Sequence, residues 1–80
     1  MKYHLVAMYD KRVDAFMTPV CVVSIPQAQR SFLKETAEGG DGYSMRGDLQ
    51  LYHMGSFDEC SGVFSPPDGA NGPLKLVDGA

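Results

Sequence analysis

The stretch Val20-Cys21-Val22-Val23-Ser24-Ile25-Pro26-Gln27-Ala28-Gln29-Arg30-Ser31-Phe32-Leu33-Lys34 decides the fold, because an apolar, β-branched run there gives way to a helix start. Ser24 and Gln27 stand at capping-box spacing, in which the serine hydroxyl accepts from the N–H of the third helical residue. Pro26 falls in the first turn, where a missing N–H is harmless. Beyond it Ala28, Phe32 and either Leu33 or Thr36 recur at helical spacing to face a sheet, while Gln27, Arg30 and Lys34 point to solvent. The helix is expected to reach Ala37 or Glu38 and to stop at Gly39-Gly40.

Strands flank this helix. Upstream, Lys2 to Tyr9 alternates, with Tyr3, Leu5, Ala7 and Tyr9 on one face and His4, Val6 and Met8 on the other. Two largely apolar faces suit a central strand. After the polar break Asp10-Lys11-Arg12 a second strand is expected from Asp14 to Val23, with Phe16, Thr18, Val20 and Val22 on one side. Pro19 cannot donate to a ladder, so an edge segment or bulge is expected there. The short break makes the two strands a hairpin.

Downstream, a polar loop over 41–47 precedes a third strand from Asp48 to about Met54, interrupted by Gly55-Ser56. A turn over Asp58 to Gly62 leads to a short strand ending at Ser65, and the Pro/Gly-rich run 66–73 reads as loop. Leu74 to Val77 is a last short strand and Asp78-Gly79-Ala80 a loose end. The expected class is α+β: a small antiparallel sheet with one helix on a face, in the order β-β-α-β-β-(β). Residues 1–65 form one domain, and 66–80 belong to it as loop and terminal strand.

Eighty residues suffice for one domain, and such a chain buries only about 60% of its unfolded surface. Marginal stability at that size favours self-association. A hydrophobic fraction of 44% argues for a folded protein, and a net charge of −3 argues against a generic electrostatic grip on nucleic acid or anionic lipid. The charge is unevenly spread. Through Lys34 the chain carries five cations (Lys2, Lys11, Arg12, Arg30, Lys34) against Asp10 and Asp14, a net of +3. From Glu35 onward two cations face eight acids, a net of −6. Such a division makes one positive face, or lets two copies dock head to tail.

Cys21 reads as a small buried hydrophobe and Cys60 as an exposed turn residue, so no disulfide framework arises. Met1-Lys2-Tyr3-His4 leads straight into a strand, so no signal peptide is expected, and no apolar run nears the ~20 residues of a membrane span. No membrane partner is expected, and an intracellular setting is.

Catalytic chemistry finds no foothold. His4 and His53 fall on strands without a nearby nucleophile or carboxylate at recognisable spacing, and satisfied structural histidines are expected. Asp58-Glu59 are adjacent turn residues whose side chains diverge. Cys21, Cys60, His4 and His53 lack the short spacings of zinc sites, so neither a metal nor a cofactor is expected. The glycine-rich run Glu38-Gly39-Gly40-Asp41-Gly42 is acidic and follows a helix, so it would repel phosphate. Single-stranded nucleic acid is a better match. Its binders combine cations with stacking aromatics, and the basic half also holds Tyr3, Tyr9 and Phe16, with Tyr52 and Phe57 following on or near the third strand. Phe16 and Phe32 are expected in the core.

Certain residues recur in a known order. They are Tyr9-Asp10-Lys11, Ala15-Phe16 and Pro19, then Ala28, Arg30 and Phe32 in the helix. Asp48-Leu49-Gln50-Leu51-Tyr52, Met54-Gly55-Ser56-Phe57-Asp58 and Gly62 follow. Over residues 1–65 the chain resembles the small nonstructural protein of gokushoviruses, single-stranded-DNA bacteriophages of the microvirus group. It departs at Arg46-Gly47, where that family often has a proline and an acidic residue. The resemblance implies a non-enzymatic DNA-binding protein made in the cytoplasm of the infected bacterium, outside the virion. Its stage of action is viral single-strand synthesis.

Single-stranded DNA is therefore the expected partner. Lys2, Lys11, Arg12, Arg30 and Lys34 would contact phosphates, Tyr9 and Tyr52 would stack on bases, and self-association would add avidity. The alternative is an adaptor that recruits a viral or host replication protein without touching DNA, which the acidic second half favours.

Overall fold

A computed structural model describes residues 2–67 and 71–79 of the chain. Alternating apolar residues build a long first strand, β1 (Lys2–Asp10), which pairs on both sides as a central strand should. One neighbour is β4 (Leu49–Asp58), antiparallel along its whole length. On the other side lie β2 (Ala15–Phe16) and β3 (Val20–Val22), end to end along a single lane. The far side of β4 mirrors this, carrying β5 (Val63–Ser65) and β6 (Leu74–Asp78). Two long strands are thus flanked by two broken ones in a curled, six-stranded antiparallel sheet.

The helix α1 (Ile25–Thr36) starts where the sequence predicts, with Ser24 Oγ accepting from the Gln27 N–H at 3.3 Å. It packs Phe32 onto Val6, Leu49 and Leu51, all 3–4% exposed. Thr36, rather than Leu33, is the buried third position, its hydroxyl donating to the Phe32 carbonyl at 3.1 Å. A 3-10 turn (Tyr43–Met45) then returns the chain to the sheet.

Several expectations are corrected. The order is β-β-β-α-β-β-β, because the expected second strand splits at Met17–Pro19. That split resets the alternation. Phe16 pairs with Tyr9 on the face away from the helix, whereas Val20 and Val22 pair with Val6 and His4 on the helix face. Phe16 is accordingly 42% exposed instead of core. Cys21 is exposed as well, since it shares the outer face with its partner Leu5.

Gly55-Ser56 does not end the third strand either, and β4 runs through to Asp58. Met54 is an extra residue between the Leu5–Gly55 and Val6–His53 pairs, and such a bulge bends the strand. Gly55, at φ +155°, lies under β5, where a Cβ would collide with the Ser65 carbonyl and the Phe64 ring. Only glycine permits that crossing. At the other end, the Gly79 N–H donates to the Leu49 carbonyl at 2.9 Å, so the chain is anchored there rather than loose. The expected turn at Asp68-Gly69-Ala70, and Ala80, lie outside the described residues.

Candidate nucleic-acid interface

The two faces of the β1–β4 pair differ in cover. α1 closes one. At its Tyr9 end the other carries a cluster of three rings from three strands, Tyr9 from β1, Phe16 from β2 and Tyr52 from β4, with Tyr3, Phe57 and Phe64 further along the same face. The cluster's centroids lie 5.0 Å (Tyr9–Phe16), 5.3 Å (Phe16–Tyr52) and 5.9 Å (Tyr9–Tyr52) apart, tilted or edge-on. Such tilted packing satisfies the ring quadrupoles while leaving ring surface open to solvent.

Polar contacts hold the cluster. The Tyr9 hydroxyl donates to Asp14 Oδ1, and that bond, helped by burial and the carboxylate's charge, raises the phenol above its usual range. Asp14 reaches it from a left-handed turn position at φ +53°, which short polar residues tolerate. The Tyr52 hydroxyl donates to Gln50 Oε1 at 3.4 Å, and Gln50 Nε2 donates to Asp78 Oδ1 at 2.8 Å. The Gln50 bond, with the charge of Lys75 and of Lys11, lowers the Asp78 carboxyl below its usual value.

Cations rim this end of the sheet. Lys11 and Arg12 sit in the turn after β1, and Lys75 pairs opposite Tyr52 in β6. Two of them have an acidic neighbour: Arg12 Nε lies 3.9 Å from Asp48, and Lys75 Nζ 3.5 Å from Asp78. The Arg12 side chain is still 65% exposed, so a loose surface pair of this kind leaves it available to a ligand.

The structure therefore brings together Tyr9, Tyr52, Lys11 and Arg12 of the expected binding residues. It separates the other three. Lys2 begins β1, roughly 30 Å along the strand from Lys11 at the usual rise per residue. Arg30 and Lys34 lie on the exposed side of α1, behind the sheet. Phe16, expected in the core, and Lys75, which the sequence did not single out, join the group. Phe16 was legible had the strand been broken at Pro19 and its parity counted from the Tyr9 turn.

Other polar groups lie away from this cluster. His4 and His53 meet edge-on at 5.2 Å, with His4 Nδ1 and His53 Nε2 buried and lacking a hydrogen-bond partner among the described residues. They are packed, but not satisfied as expected. Asp58 Oδ1 accepts the Cys60 N–H at 3.0 Å, and this bond caps the turn and lowers the carboxyl below its usual value. Glu59 raises the Tyr3 phenol by its negative charge, with smaller contributions from burial and a hydrogen bond between them. No described helix is long and apolar enough to cross a membrane.

A curled antiparallel sheet of six strands with one helix and an open aromatic face defines a small mixed α+β protein. The chain belongs to the phage ORF5 protein family, whose sequence model matches residues 3–79. No curated protein and no solved structure matches it.

Proposed function

We propose that this phage protein is a non-enzymatic, nonstructural protein that binds single-stranded DNA through the open face of its sheet. Its place is viral genome replication in the host bacterial cytoplasm, as in the gokushovirus proteins it resembles. The observation that carries this is the Tyr9–Phe16–Tyr52 cluster, three rings on one uncovered face beside Lys11, Arg12 and Lys75. Bases stack on such rings for about 1–3 kcal/mol each, whatever their sequence. With a net charge of −3, attraction to phosphate is weak, so stacking and multiplicity carry the affinity.

Fluorescence anisotropy with a labelled oligothymidine at low salt tests the proposal. Binding that weakens as salt rises, and weakens further in Phe16→Ala and Tyr52→Ala, supports it. Absence of binding at low salt refutes it.

A second reading, the adaptor without DNA contact, draws on an apolar cleft of about 480 Å³ between β3 and α1, lined by Val20, Val22, Val23, Ala28 and Phe32. An adaptor using that cleft tolerates Phe16→Ala but loses its partner on Ala28→Arg.

A further inference from the structure

Among the described residues ten large hydrophobic side chains are exposed, and eight of them fall on the two broken lanes that border the sheet. Val13, Phe16, Met17, Val20 and Val23 belong to the first lane and its turns, and Val63, Phe64 and Leu74 to the second. Among the described residues β3 pairs only with β1 and β5 only with β4, so each turns backbone N–H and C=O groups outward. Soluble proteins commonly blunt such edges with lysine or inward-pointing charge. Neither Val20-Cys21-Val22 nor Val63-Phe64-Ser65 contains a charged residue.

The geometry points to a second copy of this chain as the occupant of both edges, with β3 of one copy pairing with β5 of the next. The strand directions allow it without inverting either molecule. β1 is antiparallel to β3 and to β4, and β4 is antiparallel to β5, so β3 and β5 run in opposite senses. A copy displaced sideways, helix on the same face, therefore presents β5 antiparallel to β3.

Side-chain parity agrees. Val20 set against Ser65, Cys21 against Phe64 and Val22 against Val63 puts Cys21 and Phe64 together on the outer face. Their intramolecular partners Leu5 and Phe57 already point there. Val22 and Val63 then share the helix face, as their partners His4 and Asp58 do. The same register sets Pro19, just before β3, across from Pro66, just after β5, so the ladder closes where neither chain has an N–H to offer.

Charge favours unlike edges over like ones. The first edge ends in the turn bearing Lys11 and Arg12, and the matching end of the second carries Asp78 beside Lys75. Because the two pairing surfaces differ, the contact is head to tail and does not close at a dimer. It extends the sheet and would set successive aromatic clusters along one face. The pairing itself does not rest on the DNA-binding proposal and is measured without DNA.

The test uses the whole chain and sedimentation velocity. Val20 and Val63 are each 55% exposed, so Val20→Lys and Val63→Lys leave the fold and its circular dichroism intact while charging one edge apiece. The unmodified chain should form dimers and larger species in a concentration-dependent series. Each variant alone should be monomeric, its self-affinity reduced by at least about tenfold. An equimolar mixture of the two should form dimers and stop there, because one intact edge of each kind remains.

A second arm reads the register. In a Cys60→Ser, Phe64→Cys chain, mild oxidation should link Cys21 of one copy to position 64 of the next in a ladder of multimers. Adding Cys21→Ser should abolish the ladder, since directly opposed residues lie within disulfide reach. A monomeric unmodified chain, assembly that ends at a dimer, or a mixture that stays monomeric overturns the proposal. Failure of DNA binding leaves it standing.

Discussion

The two faces of the β1–β4 pair are made by the same strands from alternate residues, yet they serve different ends. On the covered face, Val6, Leu49 and Leu51 are 3–4% exposed beneath Phe32. On the open face, Tyr9, Phe16 and Tyr52 are of comparable apolar bulk, yet Tyr9 and Tyr52 are only half-buried and Phe16 is exposed, because no helix lies over them. A chain of eighty residues has surface enough for one helix to cover one face. The difference teaches that apolar content alone does not mark the core. What marks it is whether a second layer is positioned to exclude water.

That contrast can be broken most forcefully from the covered side. Phe32→Ala should cost about 3–5 kcal/mol, a large share of the stability of a small domain, and lower the urea midpoint sharply. Gly55→Val should come next. Its side chain would meet the Ser65 carbonyl and the Phe64 ring, so the variant should lose about 1–3 kcal/mol and show β5 amides exchanging faster by NMR.

The open face should respond in the opposite sense. Phe16→Ala, at a side chain already 42% exposed, should shift stability by no more than about 1 kcal/mol in thermal melts. It should nonetheless weaken oligothymidine binding roughly tenfold, at the stacking energies quoted above. Equal loss of stability from Phe16→Ala and Phe32→Ala would show that the two faces do not differ in kind.

Charge reversal sharpens the comparison further. Lys11→Glu with Arg12→Glu should flatten the salt dependence of binding by about 0.7 in log–log slope per lost phosphate contact. Arg30→Glu with Lys34→Glu, behind the sheet, should leave the slope unchanged.

The smallest effect concerns pH. Asp58 and Asp78 have carboxyls lowered by hydrogen bonds from Cys60 N–H and Gln50, so both hold their protons less tightly folded than unfolded. Their contribution is therefore complete above the ordinary aspartate range and is lost as pH falls through the folded values. Asp58→Asn and Asp78→Asn should each flatten the acid limb of a stability-versus-pH curve.

The sequence made much of this architecture legible. Ser24, Pro26 and Gln27 mark the helix start through contacts within one turn, and the alternation from Tyr3 to Tyr9 names the two faces of β1. Tyr9 and Tyr52 could be nominated for the site because each lies on an unbroken alternating run. Phe16 could not be placed so easily. Its face depends on three residues, Met17 to Pro19, that leave the strand and restart it with the opposite parity. Lys2, Arg30 and Lys34 looked like neighbours of Lys11 in composition, but a strand's length and a sheet's thickness part them.

By itself, then, the sequence determined the periodic elements, the helix cap and the turns, because each rests on interactions between residues a few positions apart. Tertiary structure decided which alternating face α1 would cover, how β4 continues under β5 at Gly55, and which aromatics meet. Those outcomes depend on pairings between residues dozens of positions apart. In a sheet, a single break or bulge reverses every side chain beyond it.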